Sequence, residues 1–247
     1  MRFSKYGHRF DWRRDLPNHK YALFNPQFNV SVTLPDSIDL RSLDSPVLDQ
    51  GNFGSCTGNA LAGWMSFQFL KVTTDPFSRL FIYYNERKIE GDADQDAGAS
   101  LSDGVKSLID TGVCKESEWP YNDNLLFQQP SPTCYLHASN FKISKASRIL
   151  DLQGIKQSLV SGNPVPFGFS VFENFETDAV ANGAPVEFPS QFDEFLGGHA
   201  VLAVGYEPDY LICRNSWGVN WGMNGYFKLS NDYVNRGLAT DFWSLSR

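Results

Sequence analysis

Residues 50–72, QGNFGSCTGNALAGWMSFQFLKV, carry a turn-rich loop straight into an unbroken apolar segment. Gly51, Asn52, Gly54 and Ser55 are turn formers. Beyond them Leu61, Trp64, Met65, Phe69 and Val72 recur at helical spacing, while Phe67 and Leu70 fall on other faces. The pattern predicts a helix over 56–72, buried nearly all round and central to a domain. Cys56 then stands at its N-terminus, where the helix dipole and unpaired N–H groups favour a thiolate and lower the thiol pKa from ~8.5. A lone cysteine is more often a small buried hydrophobe, so this position alone does not make a nucleophile. Gln50 adds a side-chain amide that can donate, together with the Cys56 backbone N–H, to the oxyanion of a tetrahedral intermediate.

Downstream, the spacing predicts helices over 78–90 and 102–111, the second stopped by Gly112. The acidic stretch GDADQDAGAS lies between them as a loop. After about residue 140 short β-rich runs take over: PVPFGFSV, HAVLAVGY, YLICRNSW and GYFKLS, separated by Gly, Asn and Asp turns. Helices first and strands second give an α+β chain with two lobes, a helical one over about 50–145 and a β-rich one over about 146–247. Residues 1–34, interrupted by Pro17, Asn18, Asn25 and Pro26, read as an extended arm without a core of its own, followed by a domain over 35–247.

The 247 residues are 42% hydrophobic and 15% aromatic, enough for a sizeable core, and 20 Gly with 13 Pro favour loops over a helical bundle. A net charge of −7 and scattered Lys and Arg argue against nucleic acid as a partner. No run reaches the ~18 apolar residues of a membrane span. The N-terminus lacks the apolar core of an export signal, which reads as a cytosolic chain or one trimmed of its signal. Four cysteines without a C-x-x-C pair or zinc-finger histidines make a metal site unexpected. No cofactor is needed by the chemistry below, and a monomer is expected.

His199, in GGHAVLAVGY, opens a β-run after two glycines, and Asn215 opens NSWGVNWG. An Asn can accept from one imidazole nitrogen and fix the tautomer that faces a thiol, the Cys-His-Asn form of triad logic. Trp217 and Trp221 are placed to keep water off that bond, or simply to pack. QGNFGSC at 50–56, GGHAVLAVGY at 197–206 and CRNSWGVNWGMNGYFKL at 213–229 together resemble the papain family of cysteine peptidases, as does TGVCKESEWPY. The likeness covers about residues 35–247, with NSWGxxWGxxGY its most specific part. It implies a papain-like two-lobed fold, a helical lobe around a central helix and a β-barrel-like lobe, with the site in the cleft between them. Cys56 would be the nucleophile, His199 the base, Asn215 its orienter and Gln50 the oxyanion donor. The sequence departs from the family at Phe53, where a disulfide cysteine is usual, at Thr57 in place of Trp, and at Gly198 before the histidine. The missing disulfide suits a reducing compartment.

The resemblance also implies an extended peptide substrate laid against Gly98 and Ala99, with Leu101, Gly168, Gly197, Gly198, Ala200 and Trp217 around the cleft. The pocket floor falls at Thr240 or Asp241, and an inward Asp241 would admit a basic residue. DWRRDLPNHKY is similar to a short motif of bacterial members, W-x-x-D-L-P, so the arm either lies in the cleft and blocks it or straps the outside. Cys114 and Cys134 either pair, closing a loop of ~20 residues worth ~3 kcal/mol, or stay thiols; Cys213 reads as a buried free thiol. Beside peptide hydrolysis stand acyl transfer by the same triad and a catalytically silent binding protein.

Overall fold

The computed structural model describes residues 3–18, 20–25, 33–69 and 72–247. Five helices of seven residues or more carry the helical part: α1 (Cys56–Phe69), α2 (Arg79–Glu90), α3 (Leu101–Asp110), α4 (Pro132–Ala138) and α5 (Leu152–Val160). Local chemistry sets their ends. The Ser78 hydroxyl accepts from the Phe81 amide to start α2, and Gly91 closes it in the left-handed region at φ +87°. Ser100 caps α3 and Asp151 caps α5 in the same way. Cys56 through Ser66 are all buried in α1, as its all-round apolar pattern requires. The helix ends earlier than its spacing predicts. Val72 is an exposed turn residue whose amide donates back to Phe69, and residues 70–71 lie outside the described residues.

The strands are β1 (Trp12–Arg13), β2 (Ala22–Leu23), β3 (Ile38–Asp39), β4 (Ala99–Ser100), β5 (Lys145–Ile149), β6 (Val165–Phe172), β7 (Phe195–Tyr206), β8 (Tyr210–Arg214), β9 (Tyr226–Ser230), β10 (Ala239–Thr240) and β11 (Phe242–Ser246). The main sheet runs β10-β6-β7-β8-β9, with β3 pairing β7 off that path, and β11-β5-β2 form a second sheet. The expected barrel-like lobe is thus corrected: among the described residues the strands form open sheets, and no closed barrel. Asp241 makes the corner between them, at φ +58° between β10 and β11. Phe167, Phe169 and Phe227 are buried on one face of the main sheet and Leu202 on the other, toward α1. Helix α1 lies against it through Gly63, where a Cβ would stand 3.2 Å from Arg214 Nε. The N-terminus of α1 is thereby set beside β7.

All four cysteines are buried free thiols. Cys114 has Cys134 within hydrogen-bonding reach, so the expected alternative of a pair is resolved toward two neighbouring thiols. Among the described residues no helix is long and apolar enough to cross a membrane.

Candidate active site

Strands β7 and β8 bring the imidazole to its partner. Asn215 follows β8 directly, and its Oδ1 accepts from His199 Nε2 at 2.8 Å and from the Ser216 backbone N–H at 2.8 Å. The backbone amide can only donate, which identifies the side-chain atom as oxygen and obliges His199 to donate through Nε2. His199 Nδ1 is left as a lone pair, buried and without a partner. The Trp217 ring tilts over the imidazole at 5.5 Å between centroids, and Trp221 meets Trp217 edge-on at 5.0 Å. Both rings keep water from the His–Asn bond.

Cys56 begins α1 with its thiol against the Ala200 backbone, one residue along β7 from His199. Gln50 is fully buried. Its Oε1 accepts from Ser216 Oγ at 2.5 Å and its Nε2 donates to Phe53 O at 2.9 Å, leaving a second N–H to donate. The Gln50 backbone is held in turn by Ser216 O and by the Tyr121 hydroxyl. Ser216 thus ties the orienting asparagine to the amide donor.

The arm runs through this cleft. Asp11 bridges Gly198 in parallel, and β1 pairs β4 in parallel with Trp12 opposite Ala99. His8 stacks on Trp217 at 4.6 Å with rings 8° apart and meets Asp49 Oδ1 at 2.9 Å. Phe10 stands edge-on to His199 at 6.1 Å. The glycines named from the sequence are the ones the arm packs on. A Cβ would stand 1.9 Å from Asp11 O at Gly98, 1.9 Å from the Trp12 indole at Gly168, 2.6 Å from Phe10 at Gly197 and 2.5 Å from Trp12 O at Gly198. Leu101 and Ala200 are buried close by.

Several arm charges are engaged. Arg9 pairs with Asp96 and Asp11, and Arg13 with Glu90, Asp92 and the Gly98 carbonyl. Asp15 is almost wholly buried, accepting from the Ser102 amide at 2.8 Å and Trp243 Nε1 at 3.1 Å while pairing with Arg148. Asp241, one of the two residues expected at the pocket floor, has its carboxylate ion-paired. Its positive-φ corner turns the carboxylate onto Arg148 at 2.6 Å and the Asp15 amide at 2.8 Å, so it shares that guanidinium with Asp15. The residue beside the Trp12 indole is Thr240, opposite Gly168, with its hydroxyl buried and unpaired.

Burial reverses the thiol chemistry expected of a helix N-terminus. The Cys56 thiol is pushed up to about 12 by burial, with the Asp11 and Glu86 charges adding, against the Ala200 and Thr57 amides. Burial likewise brings His199 down to about 4, against its bond to Asn215. The covered pair is therefore a neutral thiol and a neutral imidazole.

A buried cysteine at a helix start beside an asparagine-fixed imidazole, on this fold, defines a cysteine-type peptidase. The model of the papain family of cysteine proteases matches residues 34–244, and the chain belongs to that family. It is 40% identical to an uncharacterised peptidase C1-like protein of Acanthamoeba polyphaga mimivirus over 86% of this chain and 71% of that one. A cathepsin B-like protein of Giardia intestinalis is 30% identical over 83% of this chain and 72% of its own. Xylellain, a cysteine protease from Xylella fastidiosa, superposes with a TM-score of 0.90 at 38% identity, covering 100% of this chain and 98% of that one.

Proposed function

We propose that the chain hydrolyses peptide bonds with Cys56 as nucleophile and His199 as base, and that residues 3–18 hold it closed. The observation that carries the reading is the fixed tautomer: Asn215 commits Nε2, so the free Nδ1 is left to take the thiol proton. That proton passes from Cys56 to His199 as sulfur adds to the scissile carbonyl. The free Nε2 hydrogen of Gln50 and the Cys56 amide receive the oxyanion. His199 then protonates the leaving amine as the C–N bond breaks, and a water deprotonated by His199 cleaves the thioester. Return of water to the cleft favours the ionised pair that burial suppresses.

Iodoacetamide labelling with peptide mapping, set beside hydrolysis of a fluorogenic dipeptide series, tests the chemistry. In the Trp12→Ala chain, whose cleft is opened, Cys56 is expected to label faster than Cys213 at neutral pH, and Cys56→Ser to abolish hydrolysis. Equal labelling of the two thiols would remove the reading. Closure by the arm is tested in the full chain by Trp12→Ala, which empties the pocket on Gly168. Hydrolysis is expected to rise severalfold, and a folded variant with no gain counts against closure.

A further inference from the structure

Glu86 sits in the middle of α2 with its side chain fully buried, and the steps above make no use of it. Its Oε2 accepts from the Thr57 hydroxyl at 2.7 Å, while its Oε1 is buried without a partner. The neighbouring Arg87 does not serve it, because that guanidinium donates to the carbonyls of Tyr83, Ala93, Gln95 and Leu126. Room for the carboxyl comes from Gly104 of α3, where a Cβ would stand 2.3 Å from Oε1. Gly58 brings α1 onto α2 just as closely, a Cβ there meeting Arg79 O at 2.7 Å. The bond therefore joins α2 to the residue after the nucleophile, where three helices meet.

We propose that Glu86 is a positioning residue of the peptidase reaction: through Thr57 it holds the first turn of α1, and with it the Cys56 sulfur and amide, toward the cleft. Thr57 stands where the family usually has Trp, so this anchor belongs to the departure noted in the sequence. The inference rests on the peptidase reading above. Charge favours the acid form of Glu86. A carboxylate here would oppose the thiolate one residue from its hydrogen-bond partner; once ionised, Glu86 raises the Cys56 thiol. Burial pushes the carboxyl up to about 8, Asp103 of α3 adding, the Thr57 bond, Arg87 and Arg13 of the arm opposing. At neutral pH the group holds Thr57 without a charge; above about 8 it faces Cys56 as an anion.

Glu86→Leu, Thr57→Val and Glu86→Gln, each made in the full chain carrying Trp12→Ala so that the cleft is open, test this, each checked for folding by circular dichroism. Cys56 alkylation by iodoacetamide is followed from pH 5 to 10 by peptide mass, with kcat and KM on a fluorogenic dipeptide. Glu86→Leu and Thr57→Val are expected to lower kcat and neutral alkylation roughly fivefold to tenfold with KM little changed. Glu86→Gln keeps an acceptor for Thr57 and is expected to restore most of that loss. Its alkylation rate keeps climbing through pH 8, where the curve of the Trp12→Ala parent flattens. Unchanged kcat in folded Glu86→Leu and Thr57→Val, or a folded Glu86→Gln as impaired as Glu86→Leu, overturns the proposal. In the Trp12→Ala parent, a Cys56 no more reactive than Cys213 overturns the peptidase reading and this proposal together.

Discussion

Asn215 carries two donors on one oxygen, and that small arrangement decides which imidazole nitrogen is free. Replacing it by Ala leaves His199 able to rotate and to choose either tautomer. The expected result is a kcat lowered by about tenfold to a hundredfold with KM little changed, read from steady-state hydrolysis; an unaltered kcat would mean the packing of Trp217 suffices. Glu86 makes a second residue-scale prediction. Its folded value near 8 lies above the ordinary 4.5, so the folded chain keeps a proton that the unfolded chain has released between those values. Its contribution to stability is full below about 4.5 and is lost as pH rises through about 8, by on the order of a few kcal/mol. Urea unfolding at pH 5 and pH 8 should therefore differ more in the wild type than in Glu86→Gln. Parallel pH dependence in both proteins would contradict the burial argument.

At the scale of elements, β6 and the arm meet where no side chain can be added. Gly168→Val would put carbon into the space of the Trp12 indole, which is 6% exposed. It is expected to expel β1 and expose Arg13 and Arg14 to trypsin within minutes, followed by gel and mass; unchanged protection would show that the indole can move aside. Much of this level was legible in the sequence. Ser78 marks the start of α2, the helix expected over 102–111 lies within one residue of α3, and the alternating and apolar runs give β6, β7, β8 and β9. Cys56, Gln50, His199 and Asn215 stand out as candidates because each sits beside a turn or strand signal and because their order resembles a known family. Other features were not. Asp241 reads as a pocket acid until its positive φ swings it toward Arg148, a partner from a distant strand. Glu86 reads as an ordinary helix Glu, since nothing local reveals that Gly104 makes room for it. The short strands β5 and β11 escape because their pairing with each other joins segments far apart in sequence.

Across the whole molecule, the arm joins both halves of the cleft. Arg9 and Arg13 hold it to the acidic loop after α2, and Asp15 holds it to Arg148 and Trp243 on the β5–β11 sheet. Sequence alone left open whether this arm lies in the cleft or outside, because every one of these anchors is far away in the chain. Asp15→Ala leaves Arg148 with only Asp241 and removes the acceptor of Trp243 and Ser102. Basal hydrolysis is expected to rise severalfold in the full chain, and rates equal to wild type in a folded variant would place the grip elsewhere. Under the closure proposed above, a cover carried on the same chain would obey different kinetics from a separate inhibitor. Its local concentration is fixed by the tether, on the order of millimolar, so dilution cannot dissociate it. Uncovering is then a first-order event with a lag indifferent to enzyme concentration, whereas removal of one molecule's arm by another would shorten the lag as concentration rises.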